Sequence, residues 1–329
     1  MFEYSDTQFF EQYSAIKHWV TGMYSKADNP TAYILGGQPG AGKTVLQKQI
    51  RKNNKNIIVI NADSFREFHP CFDEIQYAFG NDSPKYTQPF INQVTERLIE
   101  ELSTEKYNLI IEGTLRTAEV PVNTCKSLKQ KGYRVELHVM SVKRVISYES
   151  TLLRYELAIE QGEIPRATAK AHHDKVADVI AGNLDVIYQS KAFDDIKLFN
   201  RQGECLYSTA SRSMPSQIER AVLDGEWSRS EQSQLEEIVA AVRELKHQRK
   251  ADDYESYVSR TDALLSSIHI PYAYLSVSKN EAEELKLHGI DFEGKISESA
   301  ESVIRVKAAE RQKAEAVLLE MRNNMGLNK

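Results

Sequence analysis

The stretch Tyr33-Ile34-Leu35-Gly36-Gly37-Gln38-Pro39-Gly40-Ala41-Gly42-Lys43-Thr44, continued by Val45-Leu46-Gln47-Lys48-Gln49-Ile50, sets a strand, a glycine-rich loop and a helix in order. Phosphate binding explains these residue types. Glycines at 37, 40 and 42 let consecutive backbone N–H groups close on phosphate oxygens, and the helix that follows adds the positive end of its dipole. Gln38, Pro39 and Ala41 complete the loop. Lys43 brings a mobile point charge to the β- and γ-phosphates, and the Thr44 hydroxyl is placed to ligate Mg²⁺. An ordinary Gly-rich turn can match the spacing; the flanking strand and helix favour a triphosphate loop, with ATP and Mg²⁺ as the expected ligands.

Outward from this loop, three more short runs rich in β-branched residues predict buried parallel strands: Asn56-Ile57-Ile58-Val59-Ile60, Tyr107-Asn108-Leu109-Ile110-Ile111 and Arg134-Val135-Glu136-Leu137-His138-Val139-Met140. Helix-like stretches at 89–103 and 120–130 lie between them, so the fold expected is α/β, a doubly wound and mostly parallel sheet. Residues up to Asn29-Pro30 read as helical, with Phe9, Phe10, Tyr13, Ile16 and Trp19 on the face toward the sheet. Near Ser211 the pattern breaks at Ser213, Pro215 and Ser216, which divides the chain into a domain at 1–210 and a helical region at 211–329. In that second region Leu235, Ile238, Val239, Val242 and Leu245 form one helical stripe. Ile296, Ala300, Val303, Ile304, Val317, Leu318 and Met321 read as a weaker stripe on a long charged helix, and Tyr272-Ala273-Tyr274-Leu275 as strand or loop.

Bulk properties narrow the function. The chain has 329 residues, 41% of them hydrophobic, enough for a well-buried core. No run approaches the roughly 20 apolar residues of a membrane span, and Met1-Phe2-Glu3-Tyr4-Ser5-Asp6 is acidic where a signal peptide would be basic and then apolar. A cytoplasmic protein with no membrane partner is expected. Cys71, Cys125 and Cys205 are too few and too scattered for a zinc site or a disulfide framework. A formal charge of -5 argues against a general nucleic-acid binder, while a small anion needs only a local cluster of arginines.

In an open α/β sheet the chemistry gathers past the carboxyl ends of the strands. Asp63, after the strand at 56–60, reads either as a general base toward an acceptor hydroxyl or as the N-cap of a helix starting at Ser64. It would lie beside the phosphate loop if those two strands are neighbours. Glu112, after the third strand, reads either as a carboxylate holding magnesium or its waters, or as a buried partner of Arg116. Arg154 and Arg166 flank the helix breakers Gly162 and Pro165, so their guanidiniums can converge over transferring phosphate. Adjacent histidines on a helix point about 100° apart, so His172-His173-Asp174 reads as a solvated face. The charge run at 231–250 reads as the wet side of a helix.

Taken together, these pieces resemble the zeta toxins of bacterial toxin–antitoxin systems, phosphate-loop kinases acting on UDP-N-acetylglucosamine. The matching stretches are residues 37–44, Asn61-Ala62-Asp63-Ser64-Phe65 with His69-Pro70, Ile111-Glu112-Gly113-Thr114 with Arg116-Thr117, Arg154-Tyr155-Glu156, Arg166-Ala167-Thr168, and Leu198-Phe199-Asn200-Arg201 with Gly203 and Leu206-Tyr207. The resemblance covers most of residues 1–210 and implies transfer of the ATP γ-phosphate to the 3′-hydroxyl of the amino sugar. It implies Lys43 and Thr44 on phosphates and magnesium, Asp63 as base, Arg154 and Arg166 as a clamp, and Glu96, Glu112, Thr114 and Arg116 lining the sugar-nucleotide site. A proteinaceous antitoxin is the implied partner. Leu115 departs from the family's small residue before the arginine, and a bulkier side chain there would reshape the acceptor pocket. Two other readings compete: a kinase of another small hydroxyl compound, such as an antibiotic or a different nucleotide sugar, and a non-catalytic ATP-binding switch with a partner-binding helical tail.

Overall fold

In the computed structural model, residues 2–268, 272–307 and 310–324 are described. Helix α1 (Asp6–Thr21) opens with a capping box, the Ser5 hydroxyl accepting from the Gln8 N–H while the Gln8 side chain accepts from the Ser5 N–H. Its buried stripe is Phe9, Tyr13, Ile16 and Val20; Phe10 and Trp19, expected on that face, are exposed. The helix stops at Thr21, short of the expected Pro30, because Gly22 ends it and a turn follows.

Strand β1 (Thr31–Gly36) runs into the loop and then α2 (Thr44–Asn53), as expected. After β2 (Ile58–Ile60) come α3 (Phe72–Phe79), α4 (Ser83–Thr104) and β3 (Leu109–Glu112). Next are α5 (Glu119–Gln130), β4 (Arg134–Met140), α6 (Arg144–Glu160), α7 (Lys170–Gln189), β5 (Asp195–Phe199), β6 (Cys205–Ser208) and α8 (Pro215–Asp224). Among the described residues these strands form one sheet of order β2-β3-β1-β4-β5-β6, parallel except for the β5–β6 hairpin. The fold is thus α/β, of phosphate-loop kinase type. Burial of nearly all of β3 and β4 is what a parallel sheet covered on both faces requires.

The strand order corrects one premise. β3 lies between β1 and β2, so the strand before Asp63 does not adjoin the strand before the phosphate loop. The chain steps out to β2, returns to β3, then crosses β1 to β4. The loop after β1 therefore sits at the switch point, with the ends of β3 and β4 on either side.

Two compact units divide the chain elsewhere than at Ser211. The first holds Met1–Gly225 and Glu237–Tyr254, so most of α9 (Arg229–Gln248) belongs with the sheet domain. The second holds Glu226–Glu236 and Glu255–Lys329. It is not purely helical. α10 (Tyr254–Ser267), α11 (Lys279–Leu287) and α12 (Arg311–Asn324) accompany an antiparallel sheet of order β7-β9-β8, with β7 (Tyr272–Val277), β8 (Phe292–Glu293) and β9 (Ser302–Lys307). Val303 and Ile304, read as helical, lie on β9, whose burial alternates: Ser302, Ile304 and Val306 inside, Val303 and Lys307 outside. Val277, Leu285, Ile304, Val306 and Leu318 are the centre of this unit's core. No described helix is long and apolar enough to cross a membrane.

Candidate active site

Positive φ at Gly37, Gly40 and Gly42 shapes the loop after β1. A Cβ at Gly40 would lie 2.0 Å from the Ser147 carbonyl oxygen, so the loop is seated directly on α6 and only glycine fits there. The N–H groups of Gly42 and Lys43 take no partner among the described residues, which leaves them for an anion. Lys43 Nζ donates to the Gly37 carbonyl at 3.1 Å and curls over the loop it follows. Burial lowers the Lys43 pKa; Glu112 and Asp63 oppose that and Arg154 adds to it. Thr44, the first residue of α2, is exposed.

Behind the loop, Gln38 is fully buried, its Nε2 donating to Val142 O at 3.0 Å and Ser147 Oγ at 3.2 Å. Ser147 Oγ lies 2.8 Å from His173 Nε2, and His173 Nδ1 lies 3.1 Å from Asp174 Oδ1. His173, expected on a solvated face, is therefore buried behind the phosphate loop while His172 is exposed. The three groups have the order of a catalytic triad, but Ser147 and His173 are both 0% exposed, so no substrate reaches them.

Asp63 is not a cap. Asn61 is the N-cap of the 3₁₀ turn Ala62–Phe68, its Oδ1 accepting from the Asp63 N–H at 3.1 Å, and Asp63 stands inside the first turn. Its Oδ1 takes both Nε (2.9 Å) and an Nη (2.8 Å) of Arg66. Arg66 is itself buried and fixed by Pro84 O, Thr87 Oγ1 and Gln88 Oε1 at 3.0, 2.8 and 2.9 Å. Oδ2 accepts no hydrogen bond among the described residues, and the side chain is half exposed.

Glu112, at the tip of β3, accepts from Gln47 of α2, not from Arg116, which is exposed. Burial raises the Glu112 pKa; Lys43 opposes that and Asp63 adds to it. Arg154, on α6, has its pKa lowered by burial, with Asp63 opposing and Arg166 adding. Its guanidinium donates to Thr168 Oγ1 at 3.3 Å across the loop that carries Arg166, and Arg166 lies 3.9 Å from Glu67. Lys43, Asp63, Glu112, Arg154 and Arg166 thus share one electrostatic neighbourhood.

Three expected substrate residues are not tied to that cluster by any contact among the described residues: Glu96, exposed on α4, Thr114 and Arg116. Leu115, expected to narrow the acceptor pocket, instead turns into the core. It is 4% exposed, adopts φ +56°, and packs against Gly36, where a Cβ would come within 2.3 Å of its Cδ1.

Sequence reasoning missed Arg66 and Gln47. Arg66 had a signal in its spacing, one turn after Asp63 and so on its partner's side of the turn; Gln47, whose partner Glu112 lies 65 residues away, had none.

The Zeta toxin family model matches residues 16–212. Toxin PezT of Streptococcus pneumoniae serotype 4 is 38% identical over 237 residues, 71% of this chain and 94% of that protein. Toxin zeta of Streptococcus pyogenes is 41% identical over 204 residues, 61% of this chain and 70% of the relative. A solved structure of the PezAT chromosomal toxin–antitoxin system of Streptococcus pneumoniae superimposes with TM-score 0.69 at 35% identity, covering 74% of this chain and 98% of that one.

Proposed function

Because the chain belongs to the Zeta toxin family, we propose that it is an ATP-dependent kinase phosphorylating the 3′-hydroxyl of the amino sugar of UDP-N-acetylglucosamine, and the toxin of a toxin–antitoxin pair. The names of its relatives, Toxin PezT and Toxin zeta, support the toxin role, and the similar solved structure, from a toxin–antitoxin system, supports a protein antitoxin as partner. The observation that carries the chemistry is the shared neighbourhood of Asp63, Lys43, Glu112 and Arg154 beside the loop.

In this reading the free N–H groups at Gly42 and Lys43, with the N-terminus of α2, take the ATP phosphates. The Thr44 hydroxyl and the Glu112 carboxylate are hard oxygen donors that suit Mg²⁺. Among the described residues no group of three or more His, Cys, Asp or Glu could hold a metal, which fits an ion carried in largely by the phosphates. When bound, Mg²⁺ supplies neutralisation of phosphate charge. Asp63 Oδ2 takes the proton of the acceptor hydroxyl as its oxygen bonds to the γ-phosphorus and the bridging β,γ oxygen leaves with ADP. Arg154 and Arg166 offset charge on the transferred group, while Glu96, Glu112, Thr114 and Arg116 hold the sugar nucleotide.

Incubation with ATP, Mg²⁺ and UDP-N-acetylglucosamine should give a product one phosphate heavier by mass spectrometry. Phosphorylation of another acceptor in a panel, with this one untouched, would reassign the substrate. Absence of any phosphorylated nucleotide sugar would reject the activity.

A further inference from the structure

The β5–β6 hairpin turns at Asn200-Arg201-Gln202-Gly203. Asn200 Oδ1 accepts the N–H groups of Gln202 and Glu204 at 3.1 and 2.9 Å, Gly203 N–H returns to Asn200 O at 3.0 Å, and Gly203 adopts φ +83°. This tight turn holds Arg201 against the underside of the phosphate loop. Its Nε donates to Ala41 O at 3.1 Å, one Nη donates to Gly40 O, and the same Nη donates to Ser150 Oγ at 2.8 Å. No carboxylate pairs with it among the described residues, and burial alone pushes its pKa down to about 10. A part-buried guanidinium with neutral acceptors only is a costly arrangement.

A trans peptide points its C=O and N–H to opposite sides. Holding Ala41 C=O from below therefore aims the Gly42 N–H away from Arg201, and that N–H is among those with no partner. The Gly40 carbonyl is held the same way, while the N–H of the same peptide closes the turn on Gln38 O at 3.1 Å. We propose that Arg201 is a positioning residue of the triphosphate site, orienting the loop peptides from behind and leaving its charge to be neutralised by the bound phosphates. The proposal rests on the reading of residues 37–44 as a triphosphate loop and adds a residue from the far edge of the sheet to it.

The consequence separates affinity from stability. The nucleotide-free protein bears an unneutralised, part-buried charge, and the complex is where that charge is compensated. Arg201→Met keeps the stem and removes the charge, so the full chain should unfold at the same or a higher denaturant midpoint without nucleotide. Calorimetric binding of Mg·ATP should weaken at least ~10-fold, a single charge-assisted contact being worth that much. Arg201→Lys keeps a charge but cannot fork between two carbonyls, so its affinity should fall between the two. The KM for ATP should rise in both variants while the KM for the acceptor stays put. ATP affinity equal to wild type in either variant overturns the proposal, as does weaker binding matched by an equal loss of nucleotide-free stability. Should the wild-type chain itself fail to bind ATP, the triphosphate reading falls instead.

Discussion

Asp63 and Arg66 show how a single ion pair can serve a proposed reaction. The paired Oδ1 fixes the carboxylate and leaves Oδ2 without a hydrogen bond among the described residues, the oxygen that takes the acceptor proton in the proposed reaction. Asp63→Asn should lower kcat by about 10²–10⁴-fold with ATP affinity unchanged, the range for a positioned base. Arg66→Lys, unable to fork, should lower kcat by about 10-fold and leave the ATP KM alone. A kcat equal to wild type for either variant in a steady-state assay would reject its assigned role. Glu219 of α8 makes a separate prediction about pH. It is fully buried, accepts from Ser141, has no hydrogen-bond partner at Oε1 among the described residues, and burial raises its pKa to about 7, with Ser141 opposing and Asp224 adding. A raised carboxylate pKa means that the folded state holds the proton the unfolded state has lost. This contribution to stability is complete below the unfolded pKa of about 4 and is lost as pH rises through about 7. Glu219→Gln should therefore match the wild type near pH 4 and exceed it by up to about 3 kcal/mol at pH 8. Urea midpoints at both pH values measure this; a constant offset would contradict it.

Elements with local signals were legible from the chain, and those specified from a distance were not. β1, the loop and α2 announced themselves because one strand, one glycine spacing and one helix occupy consecutive residues. β9 did not: Val303 and Ile304 fall at helical spacing from Ala300, and only the neighbours on β7 and β8 decide that the alternation Ser302, Ile304, Val306 wins. Likewise, nothing near Leu115 reveals that the element beside it is packed too closely for any side chain at Gly36. That contact gives an element-level test of β1 against the loop after β3. Leu115 already holds φ +56°, a conformation that costs a non-glycine residue about 1–2 kcal/mol, so it has little freedom to withdraw. Gly36→Ala, placing a Cβ 2.3 Å from Leu115 Cδ1, should destabilise by about 1–3 kcal/mol in urea unfolding. An unchanged midpoint would mean that the two elements are not so closely apposed.

The least legible feature spans the sheet domain as a whole. Glu156 of α6, two residues from Arg154, is 2% exposed and accepts from Arg249 Nε at 2.6 Å, a partner 93 residues away. Lys246 Nζ lies 3.1 Å from it and is 6% exposed at the side chain. Read locally, Lys246 belonged to the wet side of a helix; only the return of residues 237–254 to the first unit buries it. Burial works to raise the Glu156 pKa, but Arg249 and Lys246 outweigh it and hold the group below the ordinary carboxylate range. Such a network gains little over an apolar replacement, yet removing one side of it strands the other at a cost of about 3–5 kcal/mol. The sheet domain is accordingly complete only with its returning helix. A chain ending at residue 254 should unfold cooperatively and bind Mg·ATP like the full protein, whereas one ending at residue 225 should lose several kcal/mol, because the buried Val239 and Val242 and both partners of Glu156 go with the deleted segment. Lys246→Met with Arg249→Met in the full chain leaves Glu156 covered without either cation and should cost about 3–5 kcal/mol, and adding Glu156→Met should recover part of that loss, which a general packing defect would not allow. Equal urea midpoints for the two truncations would place the structural boundary back near Ser211.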